Sequence, residues 1–191
     1  MVRLNVGDLQ QNQFLGFPPA LWFKYPFSKD WFEDALSEAR SGFGRNARRR
    51  EIIFAVAFAE SYWVEWVRDE IFKGDLDKVI DRLAGKKISA EDKWKKLTKE
   101  LMDENLLKGI PELKTKFWQE WKLLIDYRDG LVHGVSSLPE CADNPRGKKP
   151  FPAVNVLDTM EPGWPTKVTI NLVKEFHSAA GTDPPTWLIE P

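Results

Sequence analysis

The segment from Arg45 to Phe72, RNARRREIIFAVAFAESYWVEWVRDEIF, contains neither glycine nor proline and carries apolar residues on nearly every side of a helical projection through its first half. A helix apolar all round is stable only when other helices cover it, so this segment is expected to be the centre of a bundle. A second long helix is expected from Pro111 to Val135. Proline suits a first helical turn, and Phe117, Trp118, Trp121, Leu124, Ile125 and Val132 trace a wide apolar face along it. Shorter helices follow from the same reasoning. Asp30 with Glu33 resembles a capping box, a helix fits between Gly74 and Gly85, and Ser89 with Asp92 caps a stripe of Trp94, Leu97 and Leu101. A last helix begins at about Thr166 and closes at Gly181. The expected fold is an all-α bundle built on two long antiparallel helices.

Two regions lack a period. Residues 1–27 mix Gln, Pro and aromatics and are expected to form an arm laid over the bundle, while residues 136–165 read as a proline-rich loop. At 191 residues the chain fits a single domain. Its 28 Lys and Arg nearly balance 29 Asp and Glu, so no global charge pulls it toward nucleic acid or membrane and any polyanion contact must be local. The longest apolar run, from Ile52, meets Glu60 too soon for a membrane span. Cys141 is the only cysteine, which excludes an internal disulfide and fits a cytoplasmic location. One Cys and two His cannot by themselves form a zinc cluster.

Chemistry concentrates at the end of the second long helix, in YRDGLVHG. Arg128 precedes His133 by five positions, Asp129 follows the arginine, and Gly134 follows the histidine. Histidine can take a proton from a hydroxyl near neutral pH. Arginine's planar fork holds a phosphate at two oxygens while charge builds on it. At 100° per residue these two side chains stand about 140° apart on a straight helix, so convergence needs a bend at Gly130, the reach of the arginine or a second subunit. Upstream, Glu60 interrupts an apolar helix, where a carboxylate requires a partner or a solvated stripe.

An arginine followed by a polar residue, with histidine four to six positions after the arginine, at the end of a long helix in an all-α protein, resembles the HEPN family. The resemblance covers about Arg45 to Val135 and the last helix. Asp129 stands where the family most often carries Asn. The resemblance implies a metal-independent endoribonuclease, toxin- or defence-like, in which the ribose 2′-hydroxyl attacks the adjacent phosphate without metal or organic cofactor. It makes His133 the base or acid and Arg128 the phosphate clamp. Asp129 and Glu60 orient them, with Ser61 the substitute for Glu60. It also implies a homodimer whose motifs face one groove, and an antitoxin or regulatory protein as a further partner. The alternative is a non-catalytic HEPN-like module for dimerisation or protein interaction, in which Arg128 and Asp129 form ion pairs and His133 sits at a helix C-terminus.

RNA contacts are expected from Arg48 and Arg49 in RNARRR and from Lys148 and Lys149 in PRGKKPFP. Ion pairing of the arginine run with Asp34, Glu38 or Glu51 is the competing reading. Lys93, Lys95, Lys96 and Lys99 read as a solvated face. Trp63, Trp66, Trp118 and Trp121 lie at core spacing rather than as base-stacking platforms, and Trp22, Trp164 and Trp187 are expected to dock on the bundle. His177 reads as structural or exposed. No glycine-rich phosphate loop is present, which disfavours a nucleotide-using enzyme.

Overall fold

A computed structural model describes residues 27–75, 77–79, 89–109, 111, 115–132 and 154–189. All regular structure among them is helical. In chain order these helices are α1 (Phe27–Ser41), α2 (Gly44–Trp66), α3 (Ala90–Asp92), α4 (Thr98–Asp103), α5 (Lys116–Val132), α6 (Val154–Thr159) and α7 (Trp164–Ala180). A π-helical turn, Val67–Ile71, extends α2, and a second, Lys93–Leu97, joins α3 to α4. Among the described residues, no helix is long and apolar enough to cross a membrane.

Helix α2 is the central element. Ile52, Ala55, Val56, Phe58, Ala59 and Trp63 are fully buried along it, which is what a helix apolar on most sides requires. Helix α1 lies antiparallel to it: Glu38 pairs with Arg50 near the tight α1–α2 turn, and Ser28 meets Glu65 at the far end. That turn needs Gly42, where a Cβ would come within 2.5 Å of Ala47 Cβ and of the Glu38 carbonyl oxygen. Helix α7 runs parallel to α2, since Thr166 meets Glu51 and His177 meets Tyr62. Phe176 is held edge-on between Trp66 and Trp94, with centroids 4.7 Å and 5.1 Å away, a geometry that matches ring edges to ring faces.

Two buried glutamates of α2 fix the helices around it. Gly163, the residue before α7, has a left-handed φ of 84° and no side chain to cap the helix. Glu51 takes that role from α2, accepting from Gly163 N at 3.3 Å, Thr166 N at 3.4 Å and Thr166 Oγ1 at 3.0 Å, while also pairing with Arg48. Glu65 does the same for α1, accepting from Ser28 N at 3.0 Å and from the Ser28 hydroxyl. Burial pushes both carboxyls above their usual range, opposed by these donors.

Several expectations require correction. Helix α1 begins at Phe27, so Asp30 lies in its first turn rather than at its cap. Pro111 is buried but not helical, and α5 begins at Lys116. The stretch 136–165 is not wholly loop, for it contains α6 and the start of α7, whose Pro165 occupies the first turn. The Ser89 cap is present, with its hydroxyl accepting from Asp92 N at 3.1 Å. The tryptophans Trp63, Trp66, Trp118 and Trp121 are all core. Trp187 docks against Phe32, Phe58 and Tyr62, and Trp164 lies tilted beside Tyr127. The arm, residues 1–26 with Trp22, lies outside the described residues.

Candidate functional site

Helix α5 buries Trp118, Trp121, Leu124, Ile125 and Gly130 against the bundle. This packing fixes the rotation of the helix and leaves Arg128 and Asp129 at the edge of the buried face, half-buried. The Arg128 side chain is 24% exposed and turns toward α2, where its terminal NH2 nitrogen lies 3.5 Å from Glu60 Oε1. Asp129 Oδ1 lies 2.9 Å from Arg128 Nε, at ion-pair distance. Yet the Nε–H makes no hydrogen bond and is shielded from water. Arg128 therefore carries one buried donor that is not spent.

A third helical segment reaches the same place. Lys93 opens the π turn after α3, and its Nζ lies 3.9 Å from Glu60 Oε1, the oxygen that also faces Arg128. The turn is positioned by two contacts. Thr98 Oγ1 donates to the Lys93 carbonyl at 3.2 Å and accepts from Trp63 Nε1 at 3.1 Å, tying the turn to α2 one helical turn beyond Glu60. Lys122 of α5 pairs with Glu91 of α3 at 3.6 Å. Two cations and two carboxylates from three segments thus meet where α2, α5 and the π turn converge.

The structure brings Glu60, Arg128 and Asp129 together. His133, Lys148 and Lys149 lie outside the described residues. Arg48 is corrected: its side chain is 3% exposed, pairs with Glu51 and donates to the Gly42 carbonyl at 2.6 Å, so it is a buried structural cation with no face for RNA. Its neighbours in the run are also paired, Arg50 with Glu38 at 2.7 Å and Arg45 with Asp158 at 3.0 Å. Arg49 is half-buried with an unpartnered Nε. The reading that gave this run to ion pairs named Glu38 and Glu51 as partners, and both occur. Asp158 was not anticipated, because α6 was expected to be loop.

Lys93 was placed with Lys95, Lys96 and Lys99 on a solvated face. Those three are exposed, but Lys93 is four residues before buried Leu97 and so shares the edge of the buried stripe. That spacing was visible in the sequence. Among the described residues, no group of three or more His, Cys, Asp and Glu is arranged to hold a metal ion. Comparison of the chain with protein-family models, curated proteins and solved structures finds no match.

Proposed function

We propose that the chain is an endoribonuclease of HEPN-like type, with toxin- or defence-like action, in which Arg128 and His133 carry the reaction. The observation that supports this most is Arg128 itself, a half-buried arginine held by Glu60 and Asp129 with a buried Nε–H unspent. A half-buried guanidinium beside two carboxylates, with donors not used in hydrogen bonds, suits a phosphate clamp. His133 follows five residues later in the chain.

In the proposed reaction His133 removes the proton from a ribose 2′-hydroxyl. The alkoxide attacks the adjacent phosphorus, the P–O5′ bond breaks, and the products are a 2′,3′-cyclic phosphate and a 5′-hydroxyl that receives a proton. Arg128 stabilises the charge that gathers on the non-bridging oxygens. Glu60 and Asp129 hold the guanidinium plane. The proposal includes the HEPN-like arrangement of the two long helices and a homodimer, in which the imidazole of the second subunit supplies the leaving group's proton.

One observation favours a second reading. Arg128 faces two carboxylates, enough to neutralise it, as a non-catalytic dimerisation or protein-interaction module would have it. Incubating a mixed RNA pool with the protein in excess chelator separates the two. Cleavage leaving cyclic-phosphate ends is expected, with kcat lowered about 10²–10⁴-fold in His133→Ala and about 10²–10³-fold in Arg128→Ala. Equal cleavage by wild type and His133→Ala, or a folded wild-type dimer that cuts nothing, gives the interaction module. Growth arrest on expression, relieved by His133→Ala, is expected as well.

A further inference from the structure

We propose that Lys93 is a second phosphate-binding cation of this site, and that Glu60 Oε1 now occupies the seat an RNA phosphate oxygen takes. This rests on the ribonuclease reading above. Glu60 Oε1 is 3.5 Å from the Arg128 NH2 nitrogen and 3.9 Å from Lys93 Nζ. One carboxylate oxygen thus lies between two cations carried by different elements. A tetrahedral phosphate with two non-bridging oxygens spans donors that a single oxygen already bridges.

The environment of Lys93 separates it from an ordinary surface lysine. Its side chain is 19% exposed, whereas that of Lys96, three residues on and paired with Asp92, is 67% exposed. Its carbonyl is fixed by the buried Thr98 hydroxyl, itself fixed by Trp63. This relay fixes the backbone of the turn, so the lysine's stem starts beside α2 before any ligand arrives. The π turn that carries it is an irregularity often found where a helix aims a functional side chain.

Glu60 and a phosphate compete for the same two cations. Neutralising Glu60 therefore tightens RNA binding, even though its loss as a positioning residue slows turnover. Lys93 meets the phosphate that Arg128 holds, whose charge is present in the bound substrate and grows in the transition state, so its loss weakens binding and slows turnover as well.

The test uses the full chain, a single-stranded RNA as substrate, and a deoxyribo-oligonucleotide of the same sequence as an uncleavable binding probe followed by fluorescence anisotropy. Lys93→Gln is expected to raise KM and the probe's Kd about tenfold, and to lower kcat severalfold as well. It also lowers the log–log salt slope of binding by about 0.7, the share of one phosphate contact on a single strand. Lys93→Arg restores binding, Lys96→Gln leaves it unchanged, and Glu60→Gln lowers the probe's Kd while lowering kcat. Lys93→Met carries the same expectation as Lys93→Gln should the glutamine variant not fold. A folded Lys93→Gln enzyme that cleaves with wild-type KM overturns the role of Lys93 and leaves the ribonuclease reading standing. So does one that loses kcat alone. Wild-type protein that neither binds nor cuts RNA overturns both.

Discussion

At the scale of single residues, the chain shows how position along a helix sets what a polar side chain does. His177 is on α7 with its ring enclosed by Tyr62 and Trp66 from α2, its Nε2 2.5 Å from the Tyr62 hydroxyl and its Nδ1 2.7 Å from Thr182 Oγ1. Burial pushes its imidazolium below the ordinary range, and the charges of Asp183 and Glu70 oppose this with less effect. Because folding depresses the pKa, the folded state holds the ring neutral more firmly than the unfolded chain does. Its contribution is complete above the unfolded value of about 6.5 and is lost as pH falls from there toward the folded value. The thermal midpoint is thus expected to fall between pH 7.5 and pH 5.5, and His177→Gln should flatten that slope; an equal slope in both proteins would assign it elsewhere. The sequence offered His177 only as structural or exposed, since its partners Tyr62 and Thr182 are brought by another helix and by the turn after α7. Glu60 was legible for the opposite reason. A carboxylate inside an apolar helix demands a partner whatever the fold, and Arg128 is there.

Helix boundaries were readable where the signal is local and unreadable where a distant residue supplies it. Ser89 caps α3 with its own hydroxyl, and Gly181 ends α7 with a left-handed φ of 71°, its N–H reaching the His177 and Ser178 carbonyls. The start of α7 was misplaced by two residues and that of α1 by three, because their caps are Glu51 and Glu65 of α2, far away in sequence. This arrangement has a measurable consequence. Glu51→Ala removes the cap of α7 and leaves Arg48 buried without its carboxylate, which together should cost about 3–5 kcal/mol. Replacing both partners by apolar residues, Arg48→Met with Glu51→Leu, removes the stranded charge, and that double variant should recover a large part of the loss in urea denaturation. If the double variant is less stable than Glu51→Ala, the ion pair is not the source of the penalty. Glu65→Ala should act mainly on α1, with a lesser loss at Arg68. A smaller loss is expected there, because the Ser28 that remains is neutral.

For the whole molecule, the segment after α7 closes the bundle across the side that α1 and α2 share. Gly181 reverses the chain, Thr182 N donates back to the His177 carbonyl at 3.0 Å, and the tail then carries Trp187 over the core. The Trp187 ring lies 5.5 Å from Phe32, 6.1 Å from Phe58 and 6.2 Å from Tyr62, measured between centroids, and Leu188 is buried beside them. One indole thus touches α1 and α2 while its backbone belongs to the segment after α7, so it ties that segment to both helices. The ring is partly buried, and truncation should remove less than a full core tryptophan does. Trp187→Ala is expected to lower unfolding free energy by about 2–3 kcal/mol. Ile189→Ala, at a half-exposed position two residues on, should stay within about 0.5 kcal/mol. Because the same helices unfold in both variants, the Trp187→Ala curve should move to lower urea with an unchanged slope. A shallower slope would show that the tail comes away from a bundle that stays folded, and would make it an accessory strap rather than part of the cooperative unit.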